Sequence, residues 1–312
     1  MQPEDYPRHF DGQRFFNPDA PQVRGFRDFL RWQLNGRSEP SPRFVPDVVP
    51  SKPPFRVEGD ELRVTLVNHS TVLLQQCGAN ILTDPVWSKR ASPFQWIGPR
   101  RRRPPGVRWE ELPPIDVVLL SHNHFDHLDL AALRRLAVRS QSRFVVPLGV
   151  SRLLRAHAIG PVNELDWGES VAVGEVFIHA VPALHFSGRG LFDRNKTLWC
   201  GYVLETADRI VYFAGDTAFG PHFAAIRKRF GPPRLALLPI GAYEPRWFMG
   251  PVHMPPEDAV RAHRILEAQT AIAIHHGTFQ LADDALDAPP RVLAASAGES
   301  FLVLRNGEWV TL

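Results

Sequence analysis

The stretch Ser121-His122-Asn123-His124-Phe125-Asp126-His127-Leu128-Asp129 decides the reading of this chain. It follows an apolar run that reads as a buried strand, Asp116 to Leu120, and it leads into a predicted helix, Leu128 to Val138. In an extended segment residues two apart point the same way, so His122 and His124 can grip one ion together. The turn into the helix then sends Asp126 and His127 in a different direction, toward a second ion close by. Neutral imidazole and carboxylate are the ligands expected for Zn²⁺ where cysteine is absent, and such sites tend to be catalytic. A histidine-rich surface loop, or a helix start capped by Asp126, is the bland alternative. Three histidines and an aspartate at this spacing, between strand and helix, favour metal.

Two ions need about six or seven ligands, and this stretch offers four. Three later residues sit where predicted strands give way to loops, a common place for site residues. His185 lies in Pro182-Ala183-Leu184-His185, Asp216 in Gly215-Asp216-Thr217, and His275 in His275-His276-Gly277-Thr278. Each alone reads equally well as a loop, turn or packing residue. Together they supply what is missing.

Around these points short apolar strands alternate with helices. Leu62 to Val67, Thr71 to Gln75 and Asn80 to Thr83 read as an antiparallel meander with tight turns at Asn68 and Gly78. Further strands are expected at Arg143 to Val146, Val176 to Val181, Gly201 to Glu205, Ile210 to Ala214, Leu235 to Pro239 and Ala271 to His275. Helices are expected at Val150 to His157, Pro221 to Phe230 and Pro255 to Glu267, the last with prolines at its start and Glu257 and Asp258 at its positive end. This order implies an α/β fold, a sandwich of two packed sheets with outer helices. Residues 1–54 read as an arm packed on that body, with an amphipathic helix at Arg24 to Leu34 whose Phe26, Phe29, Leu30 and Leu34 share a face. Pro40 to Pro54 reads as a linker, and 55–312 as the main domain.

The pattern His122-Asn123-His124-Phe125-Asp126-His127 resembles the HxHxDH signature of the metallo-β-lactamase superfamily. Within it the chain is especially similar to the N-acylphosphatidylethanolamine-hydrolysing phospholipase D group, from about Leu66 to Asp283. Leu82-Thr83-Asp84-Pro85, Gly215-Asp216-Thr217-Ala218-Phe219 and Ile240-Gly241-Ala242-Tyr243-Glu244-Pro245-Arg246-Trp247-Phe248-Met249 all carry the similarity. The resemblance implies an α/β/β/α sandwich in which His122, His124 and His185 hold one zinc, Asp126, His127 and His275 hold the other, and Asp216 bridges. Asp126 and Asp216 would thereby take part in catalysis. It selects His275 over His276, which stands where the family pattern has tryptophan. Asp84 and His253 also match the pattern. Asp84 is read as a partner orienting a ligand imidazole, and His253 as a candidate for the substrate site.

The implied chemistry is hydrolysis of a phosphodiester, an N-acylated ethanolamine phospholipid or something simpler, by a water that two zinc ions activate. The same ligands would also accept iron or manganese. A lactonase on the same scaffold and a metal-bound binding protein without turnover are the other two readings. A formal charge of +3 and a pI near 9.1 suit an anionic substrate or a membrane surface touched peripherally, and do not point to nucleic acid. Arg100-Arg101-Arg102-Arg103 is the one dense charge run, read either as a solvated loop or as an attractor for phosphate and anionic lipid. Trp87, Phe94, Trp96, Trp247 and Phe248 read as core or loop anchors, or as a rim for acyl chains. Cys77 and Cys200 are too few for a disulfide framework, no apolar run approaches the ~20 residues of a membrane span, and Met1 to Tyr6 show no secretory signal. A cytoplasmic location is the expectation.

Overall fold

Alternation of side-chain direction along short strands sorts the apolar residues into three layers of core. In the computed structural model, which describes residues 8–18, 23–36, 38–207 and 209–312, the strands form two seven-stranded sheets. The expectation on Met1 to Tyr6 lies outside the described residues. The first sheet contains β1 (Arg63–Asn68), β2 (Thr71–Gln76), β3 (Ala79–Thr83), β4 (Val117–Leu119), β5 (Arg143–Pro147) and β6 (Val162–Leu165), with β14 (Trp309–Thr311) on the edge beside β1. The second contains β7 (Ser170–Val173), β8 (Val176–Val181), β9 (Gly201–Glu205), β10 (Ile210–Phe213), β11 (Leu235–Pro239), β12 (Thr270–Ile274) and β13 (Phe301–Leu302), in that spatial order. Each sheet is antiparallel on one side and parallel on the other: β1, β2 and β3 form the expected meander, and β3 through β6 run parallel.

Val72, Leu74, Val117 and Leu119 face Val211, Phe213, Leu235 and Leu237 in the core between the sheets. The alternate residues Leu73, Val118, Phe144 and Val146 turn outward onto α2 (Leu130–Ser140) and α3 (Val150–Ala156). On the opposite flank Tyr212, Ala236 and Leu238 meet α4 (His222–Phe230), α6 (Pro256–Leu266) and α7 (Ala288–Ala294). The expected α/β/β/α sandwich is therefore present. The short α5 (Arg246–Met249), α7, β6, β7, β13 and β14 were not anticipated. α7 carries Pro289 and Pro290 in its first turn, where the missing N–H groups cost nothing, so its sequence reads as loop.

The arm departs from expectation in two respects. Its helix α1 (Phe26–Asn35) forms, but Phe29 and Leu30 are exposed and Leu34 is 83% exposed, so these three are not the residues that pack on the body. Trp32 makes the contact instead, stacked on Phe248 at 5.0 Å. The proline-rich segment is not a free linker either. Its backbone is tied along the body by bonds from Glu39 to Asp283, Val45 to Arg102, Val49 to Asn306 and Ser51 to Gly106. Upstream, Phe15 is buried in the core between the sheets. Among the described residues no helix is long and apolar enough to cross a membrane.

The arginine run is corrected as well. Only Arg100 is exposed as a solvated loop would require. Arg101 turns inward and donates to Ser88 O at 3.0 Å, Asn68 Oδ1 at 2.8 Å and Val86 O at 3.0 Å, and burial lowers its pKa to about 10. Arg103 donates to Gly277 O at 2.9 Å, and Arg102 to Pro42 O at 3.3 Å. Arg101 and Arg103 fasten the β1–β2 turn and the turn after β12, and Arg102 holds the arm, so these groups are not spread out for lipid. Arg101→Ala should lower stability by about 3 kcal/mol, because it leaves three acceptors without their donor. Arg100→Ala should stay within about 0.5 kcal/mol of the parent in the same denaturant melts.

Candidate metal centre

The strands that carry the site are short, and their residues of interest lie just past the ends that share one rim. His122, His124, Asp126 and His127 follow β4, His185 follows β8, Asp216 follows β10 and His275 follows β12. The quoted stretch closes with a turn in which His127 N and Leu128 N both donate to His124 O. Asp129, not Asp126, caps α2, its Oδ1 accepting from Ala131 N at 3.0 Å and its Oδ2 from Ser88 N at 2.8 Å. Arg189 pins the outer side of the loop, donating to Asn123 O at 2.8 Å and Leu128 O at 2.9 Å with its guanidinium over the Phe125 ring.

All seven expected ligand positions converge. His122 Nε2 lies 2.8 Å from His124 Nδ1, which lies 3.2 Å from His185 Nε2. Asp126 Oδ2 lies 3.2 Å from His127 Nε2 and 3.3 Å from His275 Nε2. Asp216 Oδ2 stands between the two groups, 3.0 Å from His275, 3.1 Å from His127, 3.8 Å from His185 and 4.0 Å from His122. Ligand atoms around a tetrahedral zinc are about 3.3 Å apart, so these spacings suit two ions sharing Asp216.

What stands behind the rings determines which nitrogen faces inward. Asp84 is fully buried, and its Oδ2 accepts from His127 Nδ1 and from Ser121 Oγ, both at 2.6 Å. With its proton spent on Asp84, Ser121 Oγ accepts from His122 Nδ1 at 2.9 Å. His185 Nδ1 donates to Val252 O at 3.0 Å. Three imidazoles thus each hold one proton outward and turn Nε2 inward toward Asp216, the orientation of metal-ligating histidine. His127 Nε2 and Asp216 Oδ1 are buried with no hydrogen-bond partner, which is what a cation would relieve.

The charge balance agrees. Burial works against a charge on His127, yet Asp216, Asp126 and Asp84 outweigh it and hold the ring well above its usual pKa. For His275 burial is likewise outweighed by Asp216 and Asp126, to about 9. Burial and the neighbouring His127, His124 and His185 push His122 well below its usual value. Two buried carboxylates therefore draw positive charge to this point, as protons or as cations. The residues present fit a pair of divalent ions.

His253 borders the same space, its Nδ1 4.0 Å from Asp216 Oδ2 and without a hydrogen-bond partner. Burial lowers its pKa to about 4. His276 does not join the cluster; its ring is enclosed beside a cavity of about 10 Å³ shared with Gly241 and Asp284. Residues that sequence reading missed are Ser121, Arg189, Asn17 and His69. Asn17, from the arm, donates to His185 O at 2.8 Å. His69 groups with Asp126, His127 and His275. Ser121 lay within the quoted stretch. The others carry no local signal beyond a polar residue in a turn.

Residues 79–276 match the family described as β-lactamase superfamily domain. An uncharacterised protein of Mycobacterium tuberculosis is 39% identical over 301 residues, covering 95% of this chain and 79% of that one. N-acyl-phosphatidylethanolamine-hydrolyzing phospholipase D 1 of Caenorhabditis elegans is 42% identical over 231 residues, 70% of this chain and 65% of that protein. In fold alone, isothiocyanate hydrolase from Delia radicum gut bacteria aligns with a TM-score of 0.62 at 22% identity, over 80% of this chain and 98% of its own. With sandwich, rim and sequence in agreement, the chain belongs to the metallo-β-lactamase superfamily of metal-dependent hydrolases, among relatives of the phospholipase D type.

Proposed function

We propose that the chain is a dinuclear, zinc-dependent phosphodiesterase of phospholipase D type, acting on N-acylphosphatidylethanolamine-like or simpler phosphodiesters. His122, His124 and His185 would hold one ion, Asp126, His127 and His275 the other, and Asp216 both. The observation that carries it is the set of outward Nδ1 bonds that turn His122, His127 and His185 onto Asp216. Bound there, two divalent ions would acidify a water and neutralise charge on a phosphoryl group.

The chain's own groups supply the rest. Asp84 keeps a proton on His127 Nδ1 and, being enclosed and saturated with donors, is not available to a leaving group. His253 is neutral near pH 7 and presents a ring nitrogen free to hydrogen-bond a phosphoryl or leaving-group oxygen. Similarity to a relative named for N-acyl-phosphatidylethanolamine hydrolysis favours the phosphodiester over a lactone.

Two loops rooted beside the site end in exposed apolar side chains. Ala91 packs in the cluster that Phe125 joins, and the loop beyond it exposes Phe94, Ile97 and, at 74%, Trp96. Leu191 and Phe192 are exposed on the loop after His185. Such tips suit the boundary of a bilayer. The enzyme would work in the cytoplasm and meet lipid only from the aqueous side.

Elemental analysis of the zinc-reconstituted chain should find two equivalents. His124→Ala and Asp216→Ala should each cut turnover by about a thousandfold or more while far-UV circular dichroism stays unchanged, a loss of several kcal/mol of transition-state stabilisation. Bis(p-nitrophenyl) phosphate and N-acylphosphatidylethanolamine vesicles should be hydrolysed and a lactone panel left intact; turnover of lactones alone would replace the phosphodiesterase reading. Trp96→Ala should lower the rate on vesicles by about fivefold or more and leave the soluble diester rate unchanged, on the scale of one lost interfacial aromatic.

A further inference from the structure

His69 has no part in the seven-ligand reading, yet its Nε2 lies 3.1 Å from Asp126 Oδ2 and its ring is wholly buried. It sits in the β1–β2 turn, on the opposite sheet from His275, and the two are joined by the bond from His275 N to His69 O at 3.0 Å. His69 N donates in turn to Thr278 Oγ1 at 3.1 Å, and Phe279 meets the ring edge-on at 5.3 Å. Both histidines are left-handed, with φ of 47° for His69 and 57° for His275. For a non-glycine residue that conformation is strained, and it persists where surrounding bonds over-determine it. Here it aims two rings, from two sheets, at one carboxylate oxygen.

We propose that His69 is a positioning residue for the second ion: its Nε2–H donates to Asp126 Oδ2 and holds that carboxylate where an ion shared with His127 and His275 requires it. The inference rests on the two-ion reading. With an ion on its Nε2, His127 cannot serve as this donor, because its one proton is held at Nδ1 by Asp84. His275 reaches both carboxylates and so lies at the ion position, whereas His69 pairs with Asp126 and not with Asp216. His122, His127 and His185 each have an acceptor behind Nδ1, as ligand imidazoles do; His69 Nδ1 has none and leaves the proton on Nε2. His275 Nδ1 also has none, so its place at the ion rests on its reach to both carboxylates. A carboxylate oxygen has lone pairs enough for one N–H and one cation. Without the N–H, Asp126 is free to rotate, and the ion position loses one of its anchors while the His122–His124–His185 position keeps all of its own.

The test is equilibrium dialysis of the full chain, stripped by chelator, against buffered zinc, read by elemental analysis. Wild type should take up two equivalents. His69→Leu should keep the first at wild-type affinity and bind the second about 10–100-fold more weakly, the usual loss when an outer partner of a ligand is removed. His69→Gln, whose amide N–H still donates, should recover the second equivalent to within about threefold of wild type. Two equivalents at wild-type affinity in His69→Leu would overturn the role of His69 alone. Glutamine as weak as leucine would overturn the donor role. A wild-type chain that never takes a second equivalent would remove the two-ion reading itself. His69→Ala repeats the comparison should the leucine variant not fold.

Discussion

One buried carboxylate, Asp84, is the constraint on which the site depends. It accepts Ser121 N at 2.7 Å, Ser121 Oγ at 2.6 Å and His127 Nδ1 at 2.6 Å, and is wholly shielded from solvent. Burial pushes its carboxyl pKa up, against the pull of His127 and the Ser121 donors. Those donors offset a desolvation cost that would otherwise be several kcal/mol. In return one residue sets two tautomers, His127 directly and His122 through Ser121. It also ties the end of β3 to the segment leaving β4. Replace it with a group that cannot accept three bonds, and the inward lone pairs lose their definition before any ion is involved.

Around Asp84 the backbone carries strain in a pattern that matches the site. Among the described residues nine non-glycine positions have positive φ, and four of them, His69, Asp84, Ala242 and His275, lie at this rim. Left-handed turns let a strand stop abruptly and throw its next side chain sideways. The cost, about 1 kcal/mol at each position, is sustained by packed sheets whose interior strands are buried on both faces. Because His122 to His127 come from one sheet and His185, Asp216 and His275 from the other, the cluster exists only when the sandwich is closed. The inter-sheet core is therefore part of the site's geometry.

Where residues act through periodicity, the sequence was readable. The apolar runs Val72 to Leu74 and Val117 to Leu119 predicted strands, and their position predicted which loops would converge. His122, His124, Asp126 and His127 were legible because their spacing in an extended segment has one geometric meaning. Arg101 to Arg103 depart from both readings of the run because charge is a poor guide to direction: a guanidinium with an aliphatic stem turns inward wherever enough carbonyls converge, and those carbonyls come from residues 42, 86, 88 and 277. The exposed face of α1 was misread for the opposite reason, since amphipathicity says that a face exists and not that a partner covers it. His69 carried no pattern at all. Its contact with Asp126 spans 57 positions and depends on how two turns meet.

The inward arginines also bear on the choice between a charged and a neutral substrate. Arg101 is anchored to Asn68, beside His69; Arg103 to Gly277, two residues past His275; and Arg189 to Asn123 and Leu128, on either side of the ligand loop. Burial lowers Arg101 and Arg189 to about 10, still far above neutral pH, so their charges are permanent. Their hydrogen bonds go to neutral backbone and amide oxygens, and the carboxylates that act on them are Asp129 for Arg101 and Asp129, Asp193 and Asp126 for Arg189. Solvent screens such groups poorly because they are enclosed. They fix positive charge in the loops that flank the ligand stretch, and such charge needs no reorganisation when a substrate arrives. That field would favour the phosphodiester proposed above over a neutral lactone, and it comes from the same guanidinium groups that fasten the loops.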